Sequence, residues 1–381
     1  MRSGGTPKRS VSEYWDQGTI PWVKIGDISG KYIFTTEECI SEVGLNNSAA
    51  KLFQPGTLLF SIFASIGAVG ILTVPAATNQ AIAGLEITSK TIDRDYLFYF
   101  LKSSEMGAKQ SGRGVAQNNI NLSILRDMKV PVPSLAEQSA IAREFEGIDC
   151  QIDAANNQLS SLEALVKSRF VEMFGRYNDN PDRQLQDVSE FVTVGIANAA
   201  THAYADTGVV MLRNLNVREN YLDDTDLVYI KPDFAAKYRK KALRANDILV
   251  TRTGYPGIAC VVPEKYEGCQ TFTTLIVRLR EDAPVTATYV SQLINSPLGK
   301  EFVEKMKAGS SQQNFGATSL KLMPVGAPPL TLQQEFAAFV QQVDKLRFIL
   351  LGNPSPTYRS RSFCCSTNSG NGGVILEAKD Y

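Results

Sequence analysis

One run of residues occurs twice in this chain of 381 residues, with the two copies 195 positions apart. The matched residues include Gln117 and Gln312, Leu125 and Leu320, Met128 and Met323, Pro133 and Pro328, and Gln138 and Gln333. Because one offset holds at every matched position, the pattern indicates an internal duplication. Solenoid and propeller repeats have periods of roughly 20 to 50 residues, so a period of this length predicts two whole domains in tandem.

The duplication extends upstream, where short runs of strand-forming residues alternate with turns. The matched runs are residues 20–28 and 209–217, 55–61 and 245–251, and 96–101 and 289–294. The first two pairs favour strands, and the third pair predicts a buried helix. Each copy therefore has strands first and helical segments later, which predicts an α+β fold built from two tandem α+β domains.

Composition is that of a soluble globular protein, with 44% hydrophobic and 20% charged residues. Lys and Arg number 39, as do Asp and Glu, so the net charge of zero does not by itself indicate an anionic partner. The six cysteines lack the spacing of metal ligands and no apolar segment follows Met1, so we expect reduced thiols and a cytoplasmic location. The sequence has one histidine, His202, among small and polar residues, which argues against a histidine-based triad or metal cluster.

The residues from Leu58 to Asn79 include no charged side chain, and the segment is long enough to imitate a membrane span. The matching part of the second copy contains Arg252, Tyr255 and Pro256, which is not expected of a membrane span. We therefore predict a strand, a turn and a second strand in both copies, and no membrane insertion. In this prediction the turn residues Gly67 and Gly70 match Gly254 and Gly257.

Each copy ends in a segment whose apolar residues recur at steps of three and four, the spacing of a helix with a narrow apolar stripe. The first segment predicts a long helix over residues 135–175 that Gly175 ends, and the second predicts a shorter helix over residues 329–351. A narrow stripe favours a coiled coil between the two helices over the alternative, in which each helix lies against its own domain. The predicted seam consists of Ile141, Phe145, Ile148, Ile152, Leu159, Leu162 and Val166 in the first helix and Phe336, Val343 and Leu346 in the second.

The motifs of the two copies carry a family resemblance. They are Ser3-Gly4-Gly5-Thr6-Pro7, Ile20-Pro21-Trp22, Leu58–Ser61 and Pro133–Gln138 in the first copy, and Asp247-Ile248-Leu249, Arg252 and Pro328–Gln333 in the second. In this order, and twice over, they resemble the motifs of the DNA specificity subunit of Type I restriction-modification systems, from residue 1 to about residue 350. The resemblance implies two target-recognition domains, each reading one half of a split DNA sequence, with two antiparallel helices as a ruler between them.

The resemblance also implies a domain order and partners. We predict a first target-recognition domain at 1–134 that lacks the lead-in of the second copy, a coiled-coil helix at 135–175, a second target-recognition domain at 176–328, a shorter helix at 329–351, and a disordered tail at 352–381. The chain would bind double-stranded DNA and assemble with two modification (methyltransferase) subunits and with restriction (nuclease and translocase) subunits. It would be non-catalytic and bind no cofactor itself, since S-adenosylmethionine, ATP and Mg²⁺ would be bound by those partners.

Side chains with fixed hydrogen-bond geometry are expected to read bases, with Arg at guanine, Asn or Gln at adenine, and Lys at phosphates. The DNA-binding candidates are Lys8, Arg9, Lys24 and Arg113 in the first copy and Arg213, Arg239, Lys240, Arg252 and Tyr255 in the second. The alternative for each candidate is an ordinary solvated surface residue. The Gln117 and Gln312 loops recur too regularly to read two different half-sites, and we interpret them as structural or as facing a modification subunit.

Two alternative functions remain open. Ile62-Phe63-Ala64 stands where the second copy has Arg252, and the second helix is short, which is also compatible with a partial or silent specificity cassette. The zero net charge is compatible with a coiled-coil interaction scaffold that does not bind DNA. Salt-dependent binding to duplex DNA distinguishes a DNA reader from such a scaffold.

Overall fold

A computed structural model of the protein describes residues 1–62, 67–110, 122–179, 181–197, 201–308 and 315–350. The candidate Arg113, the Gln117 loop, residues 312–314 and the predicted tail at 352–381 lie outside the described residues. The chain divides into two compact units between Ala154 and Ala155. Each unit combines sheets and helices, and each is described by itself below.

The first unit contains a five-stranded and a four-stranded sheet. Its strands are β1 (Arg2–Ser3), β2 (Ile20–Val23), β3 (Tyr32–Ile33), β4 (Glu38–Ile40), β5 (Leu52–Phe53), β6 (Leu58–Ser61), β7 (Val69–Leu72), β8 (Ala76–Thr78) and β9 (Ile82–Leu85). Its helices are α1 (Glu42–Asn46), α2 (Arg94–Gln110), α3 (Leu122–Asp127) and the first part of α4 (Leu135–Asn178). The strand orders are β1-β9-β6-β7-β3 and β4-β2-β8-β5.

The second unit has two four-stranded sheets and two short strand pairs in its described residues. Its strands are β10 (Arg183–Gln184), β11 (Ser189–Val194), β12 (Tyr204–Ala205), β13 (Val209–Arg213), β14 (Val217–Arg218), β15 (Tyr221–Leu222), β16 (Val228–Ile230), β17 (Ile248–Val250), β18 (Ala259–Val261), β19 (Gln270–Phe272), β20 (Leu275–Leu279) and β21 (Pro324–Val325). Its further helices are α5 (Leu185–Val188), α6 (Pro232–Lys237), α7 (Ala287–Asn295), α8 (Pro297–Ala308), α9 (Ala317–Lys321) and α10 (Leu330–Leu350). The four-stranded sheets have the orders β11-β20-β17-β18 and β12-β16-β13-β19.

The two units repeat one strand arrangement, register included. In the first unit Leu58 of β6 lies opposite Ile71 and Leu85, and in the second Ile248 of β17 lies opposite Val261 and Val277. In the other sheet, β2 runs parallel to β8 and antiparallel to β4, as β13 runs parallel to β19 and antiparallel to β16. The prediction of two tandem α+β domains is confirmed.

Strand β6, at the start of the charge-free segment, is buried because it has neighbours on both faces. Leu58 and Phe60 belong to the same apolar cluster as Phe98 of α2. Leu59, which points to the opposite face, packs in a cluster with Phe53. A strand buried on both faces is apolar along its whole length. None of the described helices combines the length and apolar character needed to cross a bilayer.

The two long helices pair in an antiparallel sense within the second unit. Arg169 of α4 lies 3.4 Å from Glu335 at the start of α10, whereas Glu163 lies 3.5 Å from Arg347 near its end. Next to the first of these pairs, the Phe336 ring packs against Phe170, with ring centres 5.5 Å apart. The prediction of an antiparallel helix pair is confirmed.

The first helix does not end at Gly175, where the sequence predicted its end. It continues to Asn178, and the N–H of Asp179 donates to the carbonyl of Gly175 at 3.0 Å. The physical reason is burial of the helix end: the Asn178 side-chain oxygen accepts a hydrogen bond of 2.7 Å from the hydroxyl of Tyr289. A partner in the core thus fixes the helix end, and the glycine lies inside the last turn.

The predicted seam residues fall into three groups. Val166, Phe336 and Val343 are buried, and Leu162 is partly buried in the same cluster. Ile141 and Phe145 pack against the core of the first unit, while Leu159 is half-buried. Ile148, Ile152 and Leu346 are exposed at 43%, 52% and 51%. The apolar stripe of α4 therefore covers its own domain at one end and pairs with α10 at the other.

Candidate nucleic-acid interface

Each unit presents one loop that is closed by the same hydrogen bonds. Between β17 and β18, the N–H of Gly257 donates to the carbonyl of Thr251 at 3.0 Å, and the N–H of Ile258 donates to its hydroxyl at 2.9 Å. Between β6 and β7, the N–H of Gly67 donates to the carbonyl of Ser61 at 3.1 Å, and the N–H of Ala68 donates to its hydroxyl at 2.8 Å. We call these the hairpin loops, residues 62–66 and 252–256, of which residues 63–66 lie outside the described part of the chain.

The hydrogen bonds correct the predicted match of turn glycines. Gly67 corresponds to Gly257, not to Gly254, because Gly67 donates to Ser61 and Gly257 donates to Thr251, and these two residues occupy matched positions three residues after Leu58 and Ile248. Both also have positive φ, +95° and +89°, a conformation that favours glycine. The sequence alignment slipped by three residues because Gly254 lies within the loop itself.

A polar cluster surrounds the hairpin loop of the second unit. The Asn214 side chain donates a hydrogen bond of 2.6 Å to the hydroxyl of Thr253. Arg213, at the end of β13, donates to the side chain of Asp226 at 3.0 Å. Tyr255 is 85% exposed. The predicted candidates Arg213, Arg252 and Tyr255 thus lie in one neighbourhood, which Asn214 connects to β13.

Three buried atoms of this cluster lack hydrogen-bond partners in the described part of the chain. They are Nε of Arg213, Oδ1 of Asn214 and Nε of Arg252. An unpaired buried polar atom costs about 1–3 kcal/mol, so the great majority in folded proteins are paired. Such atoms gathered in one neighbourhood are typical of a functional surface, where a bound partner or a rearranged side chain supplies the missing bonds.

The first unit places a different side chain at the position of Arg213. Lys24 follows β2, and its N–H donates to the side chain of Asp27 at 2.7 Å, as that of Arg213 donates to Asn216 at 2.9 Å. The ammonium of Lys24 lies 2.7 Å from Glu37 and 2.8 Å from Glu38. These hydrogen bonds raise the pKa of Lys24 above its usual value. The same backbone hydrogen bond therefore forms in both units, but the Lys24 ammonium and the Arg213 guanidinium pair with acids at different positions.

Arg9 and Lys8 lie beside two tryptophans. The Arg9 guanidinium lies 3.7 Å from the ring centre of Trp15 and 2.5 Å from a carboxylate oxygen of Glu38. Hydrogen bonds from Arg9 and then from Lys24 lower the pKa of Glu38 below its usual value. Lys8 is exposed, and its carbonyl accepts a hydrogen bond from the Trp15 indole at 3.3 Å. Arg9 is therefore braced by an aromatic face and an acid.

The basic run of the second unit divides into structural and exposed residues. Lys241 donates to the carbonyls of Val194 and Gly195 at 2.8 and 3.0 Å and thereby fixes its own turn. Arg239 and Lys240 are exposed and form no ion pair with any described residue. These two charges are available to an anionic partner.

Comparison with known proteins assigns the family. Residues 1–164 and 178–353 match the family model described as Type I restriction modification DNA specificity domain. The chain belongs to this family. Its match to the type I restriction enzyme MjaIX specificity subunit of Methanocaldococcus jannaschii has 29% identity and covers 49% of this chain and 46% of that one, about half the relative's length. The MjaVIII specificity subunit of the same organism is 21% identical over 84% of this chain and 77% of its own length.

A solved structure from work on complex assembly and conformational transition of the type I restriction-modification system has the same fold. Its TM-score is 0.52 at 13% sequence identity, and the match covers 92% of this chain and 90% of that one. Within the described residues of this specificity-family chain, no group of three or more His, Cys, Asp or Glu side chains could hold a metal ion.

Two features of this specificity-family chain escaped sequence reasoning. One is Asn214 with its partner Thr253, because the matching position in the first copy is Ile25 and no repeated motif marks it. The other is a buried ion pair in which Arg278 of β20 donates to Asp247, the residue before β17, at 2.8 and 2.6 Å. For Asn214, a side-by-side comparison of the copies offers the missing signal, because Asn214 differs from Ile25 within a backbone frame that the two units share.

Proposed function

We propose that this chain is the sequence-specific DNA-binding specificity subunit of a Type I restriction-modification complex and recognises a bipartite DNA site. One observation carries the proposal: two units of the same fold present the same hairpin frame but carry different side chains within it. Arg252 opens the loop of the second unit, and buried Ile62 opens that of the first. A duplicated reader whose copies share one backbone frame and differ at the loop positions suits two half-sites of different sequence.

In the second domain, we propose that Arg213, Asn214, Arg252 and Tyr255 contact base edges. Arg favours guanine O6 and N7, whereas the amide of Asn favours adenine N6 and N7. Arg239 and Lys240 would contact phosphates, since their charges have no partner among the described residues. In the first domain Lys8 is exposed and forms no ion pair with any described residue, while Arg9 and Lys24 share Glu38 and reach DNA only in competition with that carboxylate.

The partners and cofactors follow from the same proposal. The chain would be non-catalytic and would direct two modification subunits and the restriction subunits to the DNA site, in the cytoplasm. S-adenosylmethionine, ATP and Mg²⁺ would be bound by those subunits, not by this chain. The antiparallel helix pair would hold the two domains at a set spacing, because the spacing of half-sites mirrors that of the modules that read them.

The first test concerns base reading by the second domain. Arg252→Ile, which introduces the residue of the first copy, should relax the preference at one base pair of one half-site. The expected loss is about 1–3 kcal/mol, or roughly 5- to 150-fold, because a bidentate contact to one base is removed. The measurement is the mapping of methylated adenines by the complex assembled with its modification subunits. The control is Arg183→Ala, since Arg183 is a half-buried residue of β10 that pairs with its neighbour Asp182. An unchanged preference at every position would contradict the assignment.

The second test concerns phosphate contacts and separates a DNA reader from a scaffold. The affinity for duplex DNA should fall linearly with the logarithm of salt concentration, with a slope of about −0.9 for each phosphate neutralised. Lys240→Ala should reduce the slope by about one and weaken binding to all sequences alike. Titration of fluorescent duplexes at several salt concentrations measures both quantities. A protein that binds no duplex at low salt would favour the coiled-coil scaffold.

A further inference from the structure

Two buried glutamines hold the two long helices with the same three hydrogen bonds. Nε2 of Gln138 donates to the carbonyls of Thr91 and Pro133 at 2.9 and 2.7 Å, and its Oε1 accepts from the N–H of Asp93 at 2.8 Å. In the second unit the same atoms of Gln333 make the matching set of bonds. Nε2 donates to Pro284 and Pro328 at 2.9 and 2.8 Å, and Oε1 accepts from Thr286 at 2.7 Å.

Each glutamine joins a recognition domain to its helix. Gln138 lies in the first turn of α4, and its partner Asp93 immediately precedes α2. Gln333 lies in the first turn of α10, and its partner Thr286 is the N-cap of α7. Pro133 and Pro328, whose carbonyls accept one bond in each set, lie just before α4 and α10. We call these two arrangements the glutamine clamps.

Burial makes the clamps rigid. Gln138 and Gln333 are 0% and 1% exposed, so water cannot replace their hydrogen bonds. A planar carboxamide with both donors and its acceptor engaged has one orientation that satisfies all three partners. A fully paired buried amide defines geometry, and an apolar side chain of the same size would fill the space without defining an angle. All three hydrogen bonds of the clamp occur in both units, which indicates that each unit needs the geometry that the clamp defines.

We propose that Gln138 and Gln333 are positioning residues: they fix the angle of each recognition domain on its helix and thereby select the spacing of half-sites that the protein accepts. The inference rests on the proposed function. One extra base pair moves a half-site by about 3.4 Å along the DNA axis and by about a tenth of a turn around it. Only a rigidly mounted domain discriminates against such a step.

The test compares duplexes in which the two half-sites are separated by the natural spacer or by one base pair more or fewer. The wild-type complex with its modification subunits should methylate the natural spacing on the order of 100-fold faster, since displacements of this size misplace the reacting groups. Gln333→Leu and, independently, Gln138→Leu should reduce this preference to less than about tenfold. Binding to a duplex with a single half-site should stay within about twofold of wild type, because the reading residues are untouched.

The controls separate this inference from the proposed function. Gln341→Leu makes the same change at an exposed position of α10 and should leave the spacer preference unchanged. Variants that keep the wild-type preference, or that lose half-site affinity and spacer preference equally, would overturn the clamp's positioning role. A wild-type protein with no sequence-specific binding would overturn the proposed function instead. If Gln333→Leu fails to fold, Gln333→Met, which keeps the length of the side chain, replaces it.

Discussion

Replacing Phe336 with alanine should destabilise the second unit by about 3–5 kcal/mol, because it opens a cavity in a close-packed aromatic cluster. Phe336 is 0% exposed and, like Val343, is an α10 residue buried in the core cluster of the second unit. Its ring centre lies 5.5 Å from that of Phe170 and 5.3 Å from that of Phe174, both near edge-to-face. Tyr289 of α7 completes the cluster at 5.0 Å from Phe174. Denaturant unfolding followed by far-ultraviolet circular dichroism measures the loss.

Phe348→Ala is the matched control, since it removes the same ring from the same helix. Phe348 is 51% exposed, so its replacement should change the stability by no more than about 0.5 kcal/mol. Equal losses for the two variants would mean that the α10 contacts do not stabilise the second unit. A loss confined to Phe336→Ala would assign the stability to the aromatic cluster.

Asp247→Ala should cost about 3–5 kcal/mol, because it leaves the guanidinium of Arg278 buried without its counter-charge. The side chains of Arg278 and Asp247 are 8% and 1% exposed and form a two-bond pair. Asp247 also accepts a hydrogen bond of 2.8 Å from the backbone N–H of Arg244. The Arg278 guanidinium lies 4.6 Å from the ring centre of Phe191. Thermal or denaturant unfolding of the variant measures the cost.

The double variant Asp247→Leu with Arg278→Met shows whether such a loss comes from the unpaired buried charge or from a net stabilising contribution of the ion pair. Removing both charges together should restore most of the stability, since apolar residues of similar volume replace a buried pair at little cost. A double variant as unstable as Asp247→Ala would indicate that the pair contributes net stability. A loss below about 1 kcal/mol for Asp247→Ala would mean that water reaches Arg278.

The duplication made the fold predictable from the sequence. Strand runs such as 55–61 and 245–251 occur at matched places, so each copy supports the interpretation of the other. The buried ion pair escaped prediction because the first copy offers no counterpart: Thr57 stands at the position of Asp247, and Glu86 at that of Arg278. Pairing between residues 31 positions apart depends on sheet register, which a motif does not encode.

The apolar stripe of α4 shows why the contacts of a helix are harder to predict from sequence than the helix itself. Heptad spacing makes one face of α4 apolar, but it does not distinguish a partner helix from a sheet-and-helix domain. Phe145 stacks on Tyr99 of its own domain, with ring centres 5.3 Å apart, whereas Phe170 packs on Phe336 of α10. The two alternatives offered by the sequence therefore each describe one end of the same helix. Asn214 was missed for a related reason, since its partner Thr253 lies 39 positions away.

The equal length of the hairpin loops has an evolutionary consequence. Five residues lie between Ser61 and Gly67, and five lie between Thr251 and Gly257. The anchoring bonds use backbone groups and one hydroxyl at each loop, so they make no demand on the side chains between the anchors. Recombination that exchanges fifteen nucleotides between the two halves of the gene would keep every strand in register. Under the proposed function, such an exchange within a single gene would create new target preferences. Ile62, which is buried in the core of the first unit, is the loop position at which the exchange would also change the hydrophobic interior.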